Sequence, residues 1–145
     1  MVKVLVWSVA LYAAETWTLR EDDISRLEAF EMWIWRKMEK ISWRDHKTNM
    51  QVLLMVEEQR SLMNAIRVRQ RNWIGHILRG NSLLRTALEG KMEGKRTRGK
   101  PRIKMLDRIM TEGHTKLSYD ELKSAAQDRL KWRHHYQDLP TQAEN

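Results

Sequence analysis

Arg60, Arg67 and Arg71 follow one another at steps of seven and four residues. On an α-helix that spacing gathers three guanidinium groups into a stripe about 40° wide. Residues 60–79 contain five arginines and no acid, and like charges held so close repel unless an anion lies against them. Phosphate binding is the chemistry this stripe offers, and a merely solvated face is the plainer alternative. A second window, Lys91 to Arg108, holds eight basic residues against two acids, with Lys95, Arg96, Arg98, Lys100 and Arg102 at its centre. The two windows carry +5 and +6, leaving −3 for the rest of a chain whose net charge is +8. Charge concentrated in this way is the electrostatic footprint of a polyanion-binding surface.

The other reactive side chains do not assemble into a catalytic pattern. Asp22-Asp23 is an adjacent acid pair of the kind used in two-metal sites, but LREDDISRLEAF reads as the start of a helix, where carboxylates face the positive end of the dipole. His134 and His135 cannot point the same way on a helix, and no third metal ligand is evident. His76 stands alone between Gly75 and Ile77, which favours a packed or capping histidine over a proton shuttle. There are no cysteines, which excludes disulfides, thiolate metal sites and a thiol nucleophile. No Ser-His-Asp elbow or Walker loop is present. The expectation is a chain with no metal, no cofactor and no catalysis of its own.

The elements that must carry these residues are helical. With 145 residues, 41% of them hydrophobic and seven of them Trp, the chain suits one domain of ordinary size and does not have the composition of a disordered one. Ile24, Leu27, Phe30, Ile34, Met38 and Ile41 recur at three and four, which predicts a helix over 22–41 with Trp33 and Trp35 off its main stripe. Thr48 with Gln51 forms a capping box for a short helix over Met50, Leu53 and Leu54. Leu62, Ile66, Gln70, Trp73, Ile74 and Ile77 share one face of a helix over 59–79, closed by Gly80. Pro101 suits the first turn of a helix to about Met110, and Ser118 with Glu121 caps a last helix through Leu130 and Trp132. The segment from Val2 to Leu11 is short and rich in β-branched residues, favouring a buried strand or a helix end over a signal peptide or a membrane span. The fold expected is all-α, a small bundle of about four or five helices with that segment attached and a basic, Gly-rich loop. Its parts are 1–20, a helical domain over 21–80, the loop and short helix over 81–113, and a C-terminal helix with a disordered tail over 114–145.

Two resemblances sharpen this. Arg98-Gly99-Lys100-Pro101 is similar to the Arg-Gly-Arg-Pro core of an AT-hook, with Lys100 in place of Arg and a single copy. An extended basic strand of that kind suits the negative potential of a narrow minor groove. On a larger scale, the blocks VWSVALYAAETWTL, RLEAFEMWIWRKMEKISWRD, RSLMNAIRVRQRNWIGHILRG and LEGKMEGKRTRGKPRIKMLDRI resemble consecutive stretches of the reverse transcriptases of LINE-type (non-LTR) retrotransposons, the RTE-like clade in particular. The resemblance spans about residues 2–135. Its most specific parts are LYAAETWTL, WRKMEKISWRD, the Trp73-Gly75-His76 spacing in WIGHILRG, and the basic stretch before PRIKMLD. Ala13 stands where that family often has Gly, and the final helix matches less closely.

The resemblance implies that residues 1–20 correspond to the end of a polymerase palm and the following helices to the thumb and post-polymerase region. In the family these parts grip the template–primer duplex and bind RNA or target DNA, while the catalytic aspartates lie in an upstream block this sequence does not contain. The implied reading is a truncated or decayed reading frame that binds RNA, DNA or RNA–DNA hybrid and is not an enzyme by itself. Arg60, Arg67, Arg71, Lys95, Arg96, Arg98, Lys100 and Arg102 are the expected phosphate contacts, and Trp43 and Trp73 are candidates for base stacking, with core packing favoured for Trp73. Self-association through the N-terminal apolar segment is a further expectation, as is a nuclear or cytoplasmic location without membrane contact. The alternative is a structural or protein-interaction fragment that binds nucleic acid without selectivity or not at all.

Overall fold

The computed structural model describes residues 2–89, 105–112 and 116–137. Among them the chain is all-helical, with eight α-helices and no strand: α1 (Val2–Ala10), α2 (Glu21–Met38), α3 (Asn49–Val56), α4 (Leu62–Arg79), α5 (Leu83–Glu89), α6 (Met105–Glu112), α7 (Tyr119–Gln127) and α8 (Arg129–Gln137). That is more and shorter pieces than the four or five helices expected. Of the two readings of the N-terminal segment, the helix is the one adopted. Trp7 and Leu11, four residues apart, fall on one face of a helix and are both buried, which outweighs the strand preference of the valines. No helix among the described residues is long and apolar enough to cross a membrane. The chain divides into two compact units, residues 1–69 and 70–145, with the division inside α4.

In the first unit α1, α2, α3 and the start of α4 surround a core of Trp7, Leu11, Met32, Ile34, Trp35, Val52, Leu62 and Ile66. Trp7 meets Trp35 edge to face, centroids 6.1 Å apart, a preferred aromatic arrangement. A carboxylate organises the junction of α2 and α4. Glu31 is 1% exposed and accepts hydrogen bonds from the backbone N–H groups of Ser61 (2.7 Å) and Leu62 (3.1 Å). It thereby serves, from a neighbouring helix, the N–H groups that a helix start leaves without internal partners, with the charge the helix dipole favours there. The buried arc of α2 is consequently centred on Ile24, Leu27, Glu31 and Trp35, and Phe30 and Met38, expected inside, are exposed. Arg69 donates to the carbonyl of Leu11 at 2.8 Å, satisfying an acceptor just past the end of α1.

In the second unit Ile74 and Leu78 of α4 pack with Ile109 of α6 and with Leu122, Ala126, Trp132 and Tyr136 of α7 and α8. Gly75 makes the approach of α8 possible: a Cβ there would lie 2.7 Å from Trp132 Nε1. The expected single last helix is two, broken at Asp128, whose φ of −100° and ψ of 113° are extended. Asp128 Oδ1 accepts from Leu130 N at 2.8 Å and so caps α8. Arg79 donates to the carbonyl of Ala126 (3.0 Å) and Gln127 to that of Leu78 (3.1 Å), tying α7 to the end of α4.

Candidate nucleic-acid interface

Among the described residues, a surface that combines charge with exposed rings lies in the first unit. A groove of about 940 Å³ runs along the outer side of α2 to the turn after it and to Arg60. Arg26, Arg36, Lys37 and Arg60 line it together with a single carboxylate, Glu28. Arg60 is 3.5 Å from Glu28, while Arg36 donates to Asn49 Oδ1 (2.8 Å) and to the carbonyl of Lys47 (3.2 Å). Arg26 and Lys37 have no ion-pair partner among the described residues. The four-to-one balance leaves the groove positive, and Phe30, Trp33 and Trp43 are among its lining side chains. Trp33 lies opposite Ile24 on α2, nine residues and about half a turn away, so the packing of half-buried Ile24 against the core turns Trp33 outward.

The described sequence-derived candidates differ in their surroundings. Arg60 belongs to the groove. Arg67 is half-buried, and Arg71 is buried at 6% exposure. Arg71 donates to the carbonyl of Tyr136 at 3.4 Å and its guanidinium lies 5.3 Å from the centre of the Tyr136 ring. The stripe of Arg60, Arg67 and Arg71 on one solvated edge is therefore corrected. Helix α8 covers that edge of α4 at Arg71 and Gly75, and the arginine there is spent on a buried ring and carbonyl. Lys95, Arg96, Arg98, Lys100 and Arg102 lie outside the described residues. Trp73 is half-buried against the core of the second unit, Gly75 holds the close contact with Trp132, and His76 is exposed. Trp43 is 91% exposed.

Sequence reasoning missed the groove's Arg26, Lys37, Phe30 and Trp33. The available sign was Trp33 lying off the apolar stripe, an exposed aromatic flanked at i−3 and i+4 by another ring and a cation. Asp22 and Asp23 occupy the first turn of α2, where Asp23 Oδ2 accepts from Arg20 N at 3.0 Å. Among the described residues no cluster of three or more acids and histidines is placed to hold a metal ion. Comparison of the chain with protein-family models, with curated proteins and with solved structures gave no match.

Proposed function

We propose that this chain binds nucleic acid and descends from the thumb and post-polymerase region of a LINE-type retrotransposon reverse transcriptase, without polymerase activity of its own. The observation that carries binding is the positive groove of α2, in which four cations face one carboxylate beside three aromatic side chains. Phosphate contact by clustered Lys and Arg, with release of condensed counterions, supplies most of the affinity of such surfaces. The descent rests on the sequence blocks quoted above. One backbone detail agrees with it: Ala13, where the family often has Gly, takes a left-handed conformation with φ of 56°, which glycine adopts without penalty. The basic window around Lys95–Arg102 is the second contact surface of this reading, and RNA, DNA or their hybrid, met in the nucleus or cytoplasm, is the partner. A reading as a protein-interaction fragment is favoured by α1, where Val4, Leu5 and Val9 are 62–78% exposed.

Anisotropy of a labelled RNA–DNA hybrid tests the proposal. Replacing Arg26, Lys37 and Arg60 together by Gln removes three candidate phosphate contacts, which at about 0.1 M salt corresponds to about a hundredfold weaker binding. Arg96→Ala, Arg98→Ala, Lys100→Ala and Arg102→Ala in one variant tests the basic window in the same way. A chain that stays helical and binds no nucleic acid would overturn the proposal and leave the interaction-fragment reading.

A further inference from the structure

Resting on the nucleic-acid reading, we infer that the α2 groove is a stacking platform for unpaired nucleotides, so that the chain selects single strands over duplex. Phe30 and Trp33 lie one helical turn apart with their rings nearly parallel, centroids 6.2 Å apart at 15°. Trp33 and Trp43 are solvent-facing, at 56% and 91% exposure, and Phe30 is 37% exposed. Neither tryptophan is exposed for want of structure around it. Trp33 stands in the middle of α2 with the Lys37 ammonium 5.9 Å from its ring centre. Trp43 opens a single 3-10 turn held by two side-chain hydrogen bonds, Ser42 N to Asp45 Oδ2 at 2.7 Å and Arg44 N to Ser42 Oγ at 3.3 Å. Large rings held on ordered backbone and left in water forgo the burial that would stabilise the fold. A partner that covers them recovers it.

The surroundings indicate which partner. The rings line the same groove as the cations Arg26, Lys37 and Arg60, so the occupant carries flat apolar faces and regularly spaced negative charge. An unpaired nucleotide stretch has both, since each base has a π-face and each linkage a phosphate. A duplex does not, because its bases are already stacked on one another and only edges and backbone remain for a protein to touch. Neither the rings nor the cations distinguish ribose from deoxyribose.

The test compares labelled oligo(U) and oligo(dT) of about a dozen nucleotides with hairpin duplexes of the same charge, reading anisotropy and tryptophan quenching on the full chain. Single strands are expected to bind more tightly than duplex and to quench emission. Trp33→Ala and Trp43→Ala should each weaken single-strand binding by about five- to hundredfold and leave duplex affinity unchanged, while Trp43→Tyr retains most of it. Helical circular dichroism identifies a variant that has failed to fold, and Trp43→Tyr then carries the comparison. Equal affinity for strand and duplex, or tryptophan variants that bind single strands like the parent, would overturn the stacking platform while leaving salt-dependent binding in place. If sedimentation shows a dimer that the tryptophan variants lose, a second copy covers the rings and the inference is wrong. Absence of any binding would remove this inference and the nucleic-acid reading together.

Discussion

Tyr136 sits at the meeting of α4, α6 and α8, and its phenol decides how that meeting responds to alkali. The hydroxyl donates to the carbonyl of Ile109 at 3.0 Å, and burial pushes its ionisation well above the ordinary tyrosine range. Arg71 opposes the shift and Glu112 adds to it. The unfolded chain releases this proton near about pH 10, so above that pH the unfolded state binds fewer protons than the native one and stability falls as pH rises. Each further pH unit should cost about 1.4 kcal/mol, measured by urea unfolding between neutral and strongly alkaline pH. Tyr136→Phe should lose about 1 kcal/mol at neutral pH through the lost hydrogen bond to the Ile109 carbonyl and should show a shallower alkaline decline than the parent. Ala13 offers the opposite kind of change. Its φ of 56° strains an L-residue by about 1 kcal/mol, so Ala13→Gly is expected to raise the midpoint of urea unfolding rather than lower it.

Helix α4 shows how a side-chain pattern can be right about the element and wrong about a face. Its existence and its apolar stripe were legible from the spacing of Leu62, Ile66, Ile74 and Ile77, all of them buried. The burial of Arg71 was not, because nothing local to α4 announces that α8 will lie across it. Gly75 is the residue that permits the approach, and its meaning depends on Trp132, far along the chain. Gly75→Ala should therefore destabilise the protein by about 1–3 kcal/mol through overpacking. Trp132→Phe is itself destabilising but removes the atoms nearest the new methyl. The double variant should thus lose less than the sum of the two singles in thermal or urea unfolding. The capping boxes of Thr48 with Gln51 and of Ser118 with Glu121 form as their spacing predicts, since their partners are three residues apart and need no tertiary context. The same locality explains the miss at Asp128, which caps a new helix where the apolar spacing continued through Leu130. On α2, the burial of Glu31 against the start of α4 rotated the inward arc, which brought Phe30 to the surface and Trp35 into the core.

Taken over the whole chain, helical class was readable from periodicity, but the division into two compact units within α4 was not, because one unbroken helix serves both. The candidate surface was readable in part. Concentrated arginine pointed to a polyanion and Trp43 to base stacking, yet the groove found on the first unit also draws on Arg26, Lys37 and the outward rings of α2, with Arg60 and Trp43 the residues shared by both descriptions. A net charge of +8 attracts any polyanion, so affinity alone does not separate a built surface from a merely basic protein. The dependence on salt counts the phosphates neutralised together, and the loss of slope in the groove and basic-window variants assigns those phosphates to the two surfaces. The most direct measurement is the association constant of the full chain for a labelled single strand, followed from about 50 to 200 mM salt. The groove and the basic window acting together predict a linear log–log plot with a slope of about −3 or steeper, corresponding to four or more phosphates at about −0.7 each. A slope near zero, or no binding at the lowest salt by a chain that remains helical, would contradict nucleic-acid binding as the function of this protein.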